Sequence, residues 1–246
     1  MSEARRGVCV VIGAGEGLGG SIARAFAREG LAVCITRRPR HVEALETMAE
    51  SIRAEGGEAH AFGLDARNEA DVAAFIATVE QSIGPIEVLV FNIGANVRFP
   101  VLETTTQVYS KVWEMACLAG FLASREAARA MVPRGKGAIL FTGATASVRG
   151  GAGFSAFAGA KHGLRALAES LARELGPKGV HVAHVVIDGA IDGQFIRGLY
   201  PDAAEKLARE EILVPDEIAS NYVWLYKQKR SAWTFEMDLR PWAERW

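Results

Sequence analysis

The residues of this chain best suited to chemistry come early, in Gly13-Ala14-Gly15-Glu16-Gly17-Leu18-Gly19-Gly20. They follow the apolar run Val8–Ile12 and lead into Ser21-Ile22-Ala23-Arg24-Ala25-Phe26, which reads as helix. A diphosphate needs backbone N–H groups at close range and the positive end of a helix dipole. Glycine gives both, because no Cβ stands in the way. Glycines also build ordinary turns, but a position between a strand and a helix is the context in which such a cluster holds a nucleotide. A second run, Ala32–Thr36, ends in Arg37-Arg38. An acidic side chain there would accept hydrogen bonds from the adenosine ribose of NAD and repel the 2′-phosphate of NADP. Two guanidinium groups suit that phosphate instead, so NADP(H) is the preferred cofactor, with NAD(H) as the alternative. The plainer reading of Arg37 and Arg38 is solvated surface charge. His41, His60, His162, His181 and His184 show no metal-ligand spacing and are read as structural or surface residues.

These groups must be carried by a regular scaffold, and the chain supplies one. Short apolar runs at Val8–Ile12, Ala32–Thr36, Ala59–Phe62, Val88–Phe91, Ala138–Phe141, Val180–Ile187 and Trp233–Asp238 alternate with helical stretches. That alternation predicts α/β architecture: a doubly wound, seven-stranded parallel sheet, ordered 3-2-1-4-5-6-7, with helices on both faces. Val72, Phe75, Ile76, Val79 and Ile83 form a helical stripe that starts at the N-cap residue Asn68 and ends at Gly84-Pro85. A second stripe, Ala160, Leu164, Leu167 and Leu171, stops at Gly176-Pro177, and Ser155 is the predicted cap of its helix. One Rossmann domain over 1–246 is expected. Residues 188–215 break the pattern just after a strand's carboxyl end, where ligands bind, and are read as a substrate lid.

The spacing Gly13-x-x-x-Gly17-x-Gly19 resembles the short-chain dehydrogenase/reductase signature, and the likeness runs on through almost the whole chain. Phe91-Asn92-Ile93-Gly94 is similar to that family's N-N-A-G. Phe157-Ala158-Gly159-Ala160-Lys161 takes the place of its Y-x-x-x-K, and Asp188-Gly189 that of its P-G. The resemblance implies a cofactor set. Gly13, Gly15, Glu16, Gly17, Leu18 and Gly19 would lie at the phosphates, and Asp65 and Ala66 at the adenine. Asn92, Ile93 and Gly94 would line the adenosine ribose, Lys161 would hold the nicotinamide ribose, and Gly189 and Ile191 would complete the set. Glu16 stands where many NADP-binding relatives carry a basic residue, which argues against the arginine reading.

In this family a tyrosine protonates the substrate oxygen, a serine grips it, and an asparagine supports a water near the lysine. The matching positions here are Phe157, Ala144 and Cys117. Phenylalanine has no proton to give and alanine no hydroxyl. Loss of a general acid costs roughly a hundred- to ten-thousandfold in rate, so carbonyl reduction by the usual route is not expected. Asp188 for proline and Gly193 for threonine are further departures. Replacement proton sources are Thr145 or Ser147, Tyr200 in the lid, Cys117, or a water ordered by Lys161. Arg149 is a candidate for receiving an anionic substrate. Each also has a structural reading: local turns for Thr145 and Ser147, packing for Tyr200, a buried inert thiol for Cys117, surface charge for Arg149.

The expected function is an NADP(H)-dependent oxidoreductase acting by hydride transfer on a small or medium apolar molecule. A catalytically silent nucleotide-binding protein is the alternative, and a lyase or isomerase with a resident cofactor a weaker third. A formal charge of −1, from 28 basic and 29 acidic residues, gives no global field for nucleic acid or an anionic membrane. With no leader or spanning segment read, and with Cys9, Cys34 and Cys117 read as reduced thiols, a cytoplasmic protein is expected. Family resemblance implies a homodimer or homotetramer, paired through the long helices and an aromatic tail of Trp233, Trp242 and Trp246.

Overall fold

The computed structural model describes residues 6–244. Its elements run β1 Val8–Ile12, α1 Leu18–Arg28, β2 Ala32–Arg37, α2 Val42–Ala54, β3 Glu58–Gly63, α3 Glu69–Thr78 and β4 Ile86–Phe91. They continue as α4 Thr106–Trp113, α5 Ala119–Met131, β5 Gly137–Thr142, α6 Ser155–Leu175, β6 Val180–Ile187, α7 Gln194–Leu199, α8 Ala203–Ala208, α9 Pro215–Lys227 and β7 Glu236–Leu239. The strands form one all-parallel sheet in the order β3-β2-β1-β4-β5-β6-β7. This is the expected single-domain Rossmann fold.

β1 and β4 to β6 are apolar along nearly their whole length because both sheet faces are covered. Val8, Val10, Ile12, Leu89, Phe91, Ile139 and Phe141 pack toward α3, α5 and α6. Cys9, Val11, Val33, Ile35, Val88, Val90 and Leu140 pack toward α1, α2 and α9. Since β2 lies on one side of β1 and β4 on the other, the chain turns in opposite directions from this strand. The crevice so formed opens over the glycine turn.

The boundaries differ from expectation in three places. The seventh strand starts at Glu236 rather than Trp233. Upstream, Gln228 Oε1 accepts from Thr234 N at 2.7 Å and its Nε2 donates to Thr234 Oγ1 at 2.8 Å, and Trp233 stacks on His181 with ring centroids 4.8 Å apart. Ser155 does not cap α6: it is the first helical residue, and Phe154 is the cap without a side-chain bond. Gly153, at φ +83°, and the Phe154 N–H to Gly151 O bond already steer the chain into the helix. Asn68 does cap α3, accepting from Ala70 N and Asp71 N, but regular winding ends at Thr78 and Val79–Ile83 form a π turn.

Residues 188–215 carry α7 and α8. Their base is pinned by a parallel Ile191–Leu213 bridge, with Leu213 N donating to Ala190 O and Asp192 N to Leu213 O, each at 2.8 Å. Trp246 lies outside the described residues. Among the described residues no helix is long and apolar enough to cross a membrane.

Candidate active site and dinucleotide cradle

The turn after β1 is tied to β2, since Gly13 N and Ala14 N both donate to Thr36 O, at 3.1 and 2.9 Å. Gly13 adopts φ +92°, a left-handed conformation that other residues rarely take. A Cβ on Gly19 would come within 2.7 Å of Gly13 O, so only glycine lets α1 start this close to the turn. Gly17, the α1 cap, faces open space. Gly20 N and Ser21 N are spent on the Gly15 and Gly17 carbonyls. The amides of Leu18 and Gly19 have no acceptor among the described residues, which is the state a phosphate would complete.

Around the turn, Arg37 Cζ lies 3.7 Å from where a Gly15 Cβ would stand. Arg37 and Arg38 are half-buried and neither side chain forms a hydrogen bond or an ion pair among the described residues, whereas Glu16 is exposed. Asp65 is held bidentately by Arg67, at 2.9 and 2.6 Å, and this hydrogen-bonded pairing lowers its pKa. Ala66 beside it is buried. Asn92 spends its side-chain amide on Gly13 O at 3.0 Å, so its observed task is to buttress the turn. Ile93 presents its carbonyl to Lys161, and Gly94 borders open space.

α6 sets Phe157 and Lys161 one turn apart on the same face. Lys161 is 2% exposed, yet no carboxylate among the described residues reaches it. Its Nζ donates to Ile93 O at 3.0 Å and to Thr142 O at 2.9 Å, from the ends of β4 and β5. Burial lowers its pKa to about 8. The Phe157 ring centroid is 6.0 Å from Nζ. Phe157 and Cys117 belong to one apolar cluster with Val112, Ala116, Ala146 and Ala156, and Ala144, Ala95, Val97 and Phe154 pack against it. Cys117 sits in a π turn, Glu114–Leu118, between α4 and α5, and burial raises its thiol pKa.

The other candidates are engaged locally. Ser147 is fully buried: its Oγ accepts from Ala144 N at 3.1 Å and its own N–H donates to Ala144 O. Thr145 Oγ1 donates to Asp188 Oδ1 at 2.6 Å, and Arg149 Nη2 donates to the same oxygen at 3.0 Å. Arg149 also nears Glu244 at 3.8 Å, so the cation singled out for an anionic substrate is already neutralised. Tyr200 lies under the Lys206 ammonium, 4.5 Å from its ring centroid, within the segment that carries it. Gly189 packs near Pro241, and Ile191 forms the bridge at the base of that segment. Gly193 caps α7 and has open space around it. Among the described residues no three His, Cys, Asp or Glu side chains cluster as a metal site would require. Arg98, an exposed residue of the loop after β4, was not singled out from the sequence; no local pattern marks it.

Residues 7–202 match the short chain dehydrogenase family, and the chain belongs to it. A solved short-chain dehydrogenase from Rhodopseudomonas palustris is 49% identical, with a TM-score of 0.82 over 97% of this chain and 100% of that one. A metagenomic short-chain oxidoreductase solved in complex with NADP is 28% identical, with a TM-score of 0.79 over 96% and 97%. An uncharacterised oxidoreductase of Bacillus subtilis is 32% identical over 202 residues, 82% of this chain and 77% of that one.

Proposed function

We propose that this protein is an NADP(H)-dependent oxidoreductase with a non-standard active site, acting on a small or medium apolar substrate. The observation that carries the reading is Lys161. An ammonium taken from water without a counter-ion is costly, and here two backbone carbonyls hold it at the mouth of the crevice. Its third proton is left for a ribose hydroxyl. The residues present fit a dinucleotide: unspent amides at Leu18 and Gly19, room at Gly17, and Arg37 and Arg38 without carboxylate partners at the position of a 2′-phosphate. When bound, the nicotinamide gives or takes a hydride.

Phe157, Ala144 and Cys117 line the space beside Lys161 with apolar groups and favour an apolar ligand. Phe157 and Ala144 have no proton to give, and burial raises the pKa of the Cys117 thiol and so makes it a weaker proton donor. The proton comes from water or from the substrate. Ser147 is the less suitable source, because it is fully buried against Ala144.

The test is titration of the purified protein with NADPH, followed by NADPH consumption across carbonyl, imine and enone substrates. Binding without any consumption defeats the enzyme reading. The same apolar packing supports a second reading, a nucleotide-binding protein without turnover, and loss of a measured turnover in Lys161→Met would reject that one. Family resemblance supports a homodimer or homotetramer, and the free thiols of Cys9, Cys34 and Cys117 fit a cytoplasmic protein.

A further inference from the structure

Almost every arginine among the described residues is engaged with a carboxylate, a backbone carbonyl or, for Arg40, the ring of His41. Three have side chains that form no hydrogen bond or ion pair among those residues: Arg37, Arg38 and Arg98. The first two flank the glycine turn. Arg98 stands elsewhere, on a cleft of about 540 Å³ whose wall includes Pro100, Val101, Ala152 and Ser155. That volume falls in the roughly 300–1,000 Å³ range of ligand sites.

The Arg98 side chain is held in place. Phe99 N donates to Gly153 O at 2.8 Å and fastens this loop to the one before α6. The arm of Arg98 lies so close over Gly153 that a Cβ there would stand 3.0 Å from its Cγ. Its guanidinium sits 5.7 Å from the centroid of the Phe154 ring, in cation–π range. Phe154 also packs against the cluster of Phe157, Cys117 and Ala144, so one ring joins the cation to the apolar wall beside Lys161. A guanidinium held by an aromatic face and a backbone clasp keeps its N–H fork open, and that fork matches the oxygens of a carboxylate or phosphate.

We propose that Arg98 binds the anionic end group of a ligand whose apolar body lies in this cleft, so that the substrate class is an apolar organic acid or phosphate ester. The assignment rests on the reading of the cleft as the substrate side of an oxidoreductase. Arg149, the cation read from the sequence for an anionic substrate, cannot serve in this way while Asp188 and Glu244 hold it.

Calorimetry with decanoate, decyl phosphate and the neutral decanol tests this directly, on the wild type and on Arg98→Gln and Arg98→Lys, with and without NADPH. At least one anion should bind wild type roughly tenfold more tightly than decanol, the gain expected of a charged hydrogen bond at a partly exposed site. The advantage should shrink on raising salt, vanish in Arg98→Gln and return in part in Arg98→Lys. Which anion benefits identifies the end group. Equal affinity for both anions and decanol, or an anion preference that survives Arg98→Gln, overturns the assignment. NADPH affinity is read in the same experiment and should not change in Arg98→Gln. Failure of wild type to bind NADPH would defeat the oxidoreductase reading, while anion preference would still decide the role of Arg98.

Discussion

Lys161 shows how a single residue can be legible in sequence while its surroundings are not. Its place four residues after Phe157 was visible, but the carbonyls that hold it belong to Ile93 and Thr142, 68 and 19 positions away. If the scaffold is sound and only the proton donor and oxygen grip are absent, restoring both should restore chemistry. The double change Phe157→Tyr with Ala144→Ser is expected to raise NADPH-dependent carbonyl reduction by at least about a hundredfold. The new phenol would sit one turn from the Lys161 ammonium, which lowers a phenol pKa. No gain in a variant that still binds NADPH would show that the cavity itself excludes such substrates. The cofactor preference is tested at the same scale. Changing Arg37 and Arg38 together to alanine should weaken NADP+ binding by roughly ten- to a hundredfold, since charged hydrogen bonds to the 2′-phosphate are lost. NAD+ binding should stay within about twofold. Equal losses for both nucleotides would return the arginines to the role of surface charge.

Elements are joined here by polar ties that sequence spacing does not reveal. His184 on β6 donates from Nδ1 to Glu236 on β7 at 3.0 Å, and Arg165 on α6 holds the same carboxylate at 2.6 Å. His184 is fully buried, and burial lowers its pKa to about 4, with Lys161 and Arg165 adding to the effect against the opposing pull of Glu236. Between that value and the ordinary 6.5 the unfolded chain binds more protons than the folded one. Stability therefore rises with pH across this window and is lost as pH falls from 6.5 toward 4. Wild type should lose about 2–3 kcal/mol over that interval beyond the loss seen in His184→Asn, by urea unfolding at each pH. Parallel profiles would mean that His184 takes up its proton without opening the fold. The tie between Asp188 and Thr145 and Arg149 works similarly, fastening the loop after β5 to the end of β6 across about forty residues. For this reason Arg149 looked available from sequence and is not, whereas Arg98, which sequence gave no cause to notice, has no carboxylate partner among the described residues. The six-residue helices α7 and α8 were also hidden, because so short a segment shows too few turns for a periodic stripe.

At the scale of the molecule, the sheet order could be read because a fully covered parallel sheet forces apolar strands to alternate with amphipathic helices, and the glycine turn fixes where the winding reverses. Quaternary structure leaves no such periodic mark, but it does leave a surface. Tyr109 (44% exposed), Trp113 (41%), Leu118 (37%) and Phe121 (39%) are large apolar side chains left partly open along α4, the π turn and α5. The π turn matters to this face: Leu118 lies five positions after Trp113, and a wider turn of that length brings both toward one side of the helix. The rings are also steadied from beneath, since a Cβ on Gly159 would meet Tyr109 Oη at 3.0 Å and one on Gly163 would meet the Trp113 ring at 2.8 Å. A held apolar face of this kind suits a self-complementary contact, which a stable dimer needs over roughly 1,200 Å² or more in total. Leu118→Glu with Phe121→Glu should therefore bring the sedimenting species down to the mass of a single chain, with the far-ultraviolet circular dichroism unchanged. If wild type already sediments as one chain at tens of micromolar, this face is not a subunit contact. Phe121 would then serve mainly as the ring beneath Arg125, whose guanidinium lies 5.2 Å from its centroid.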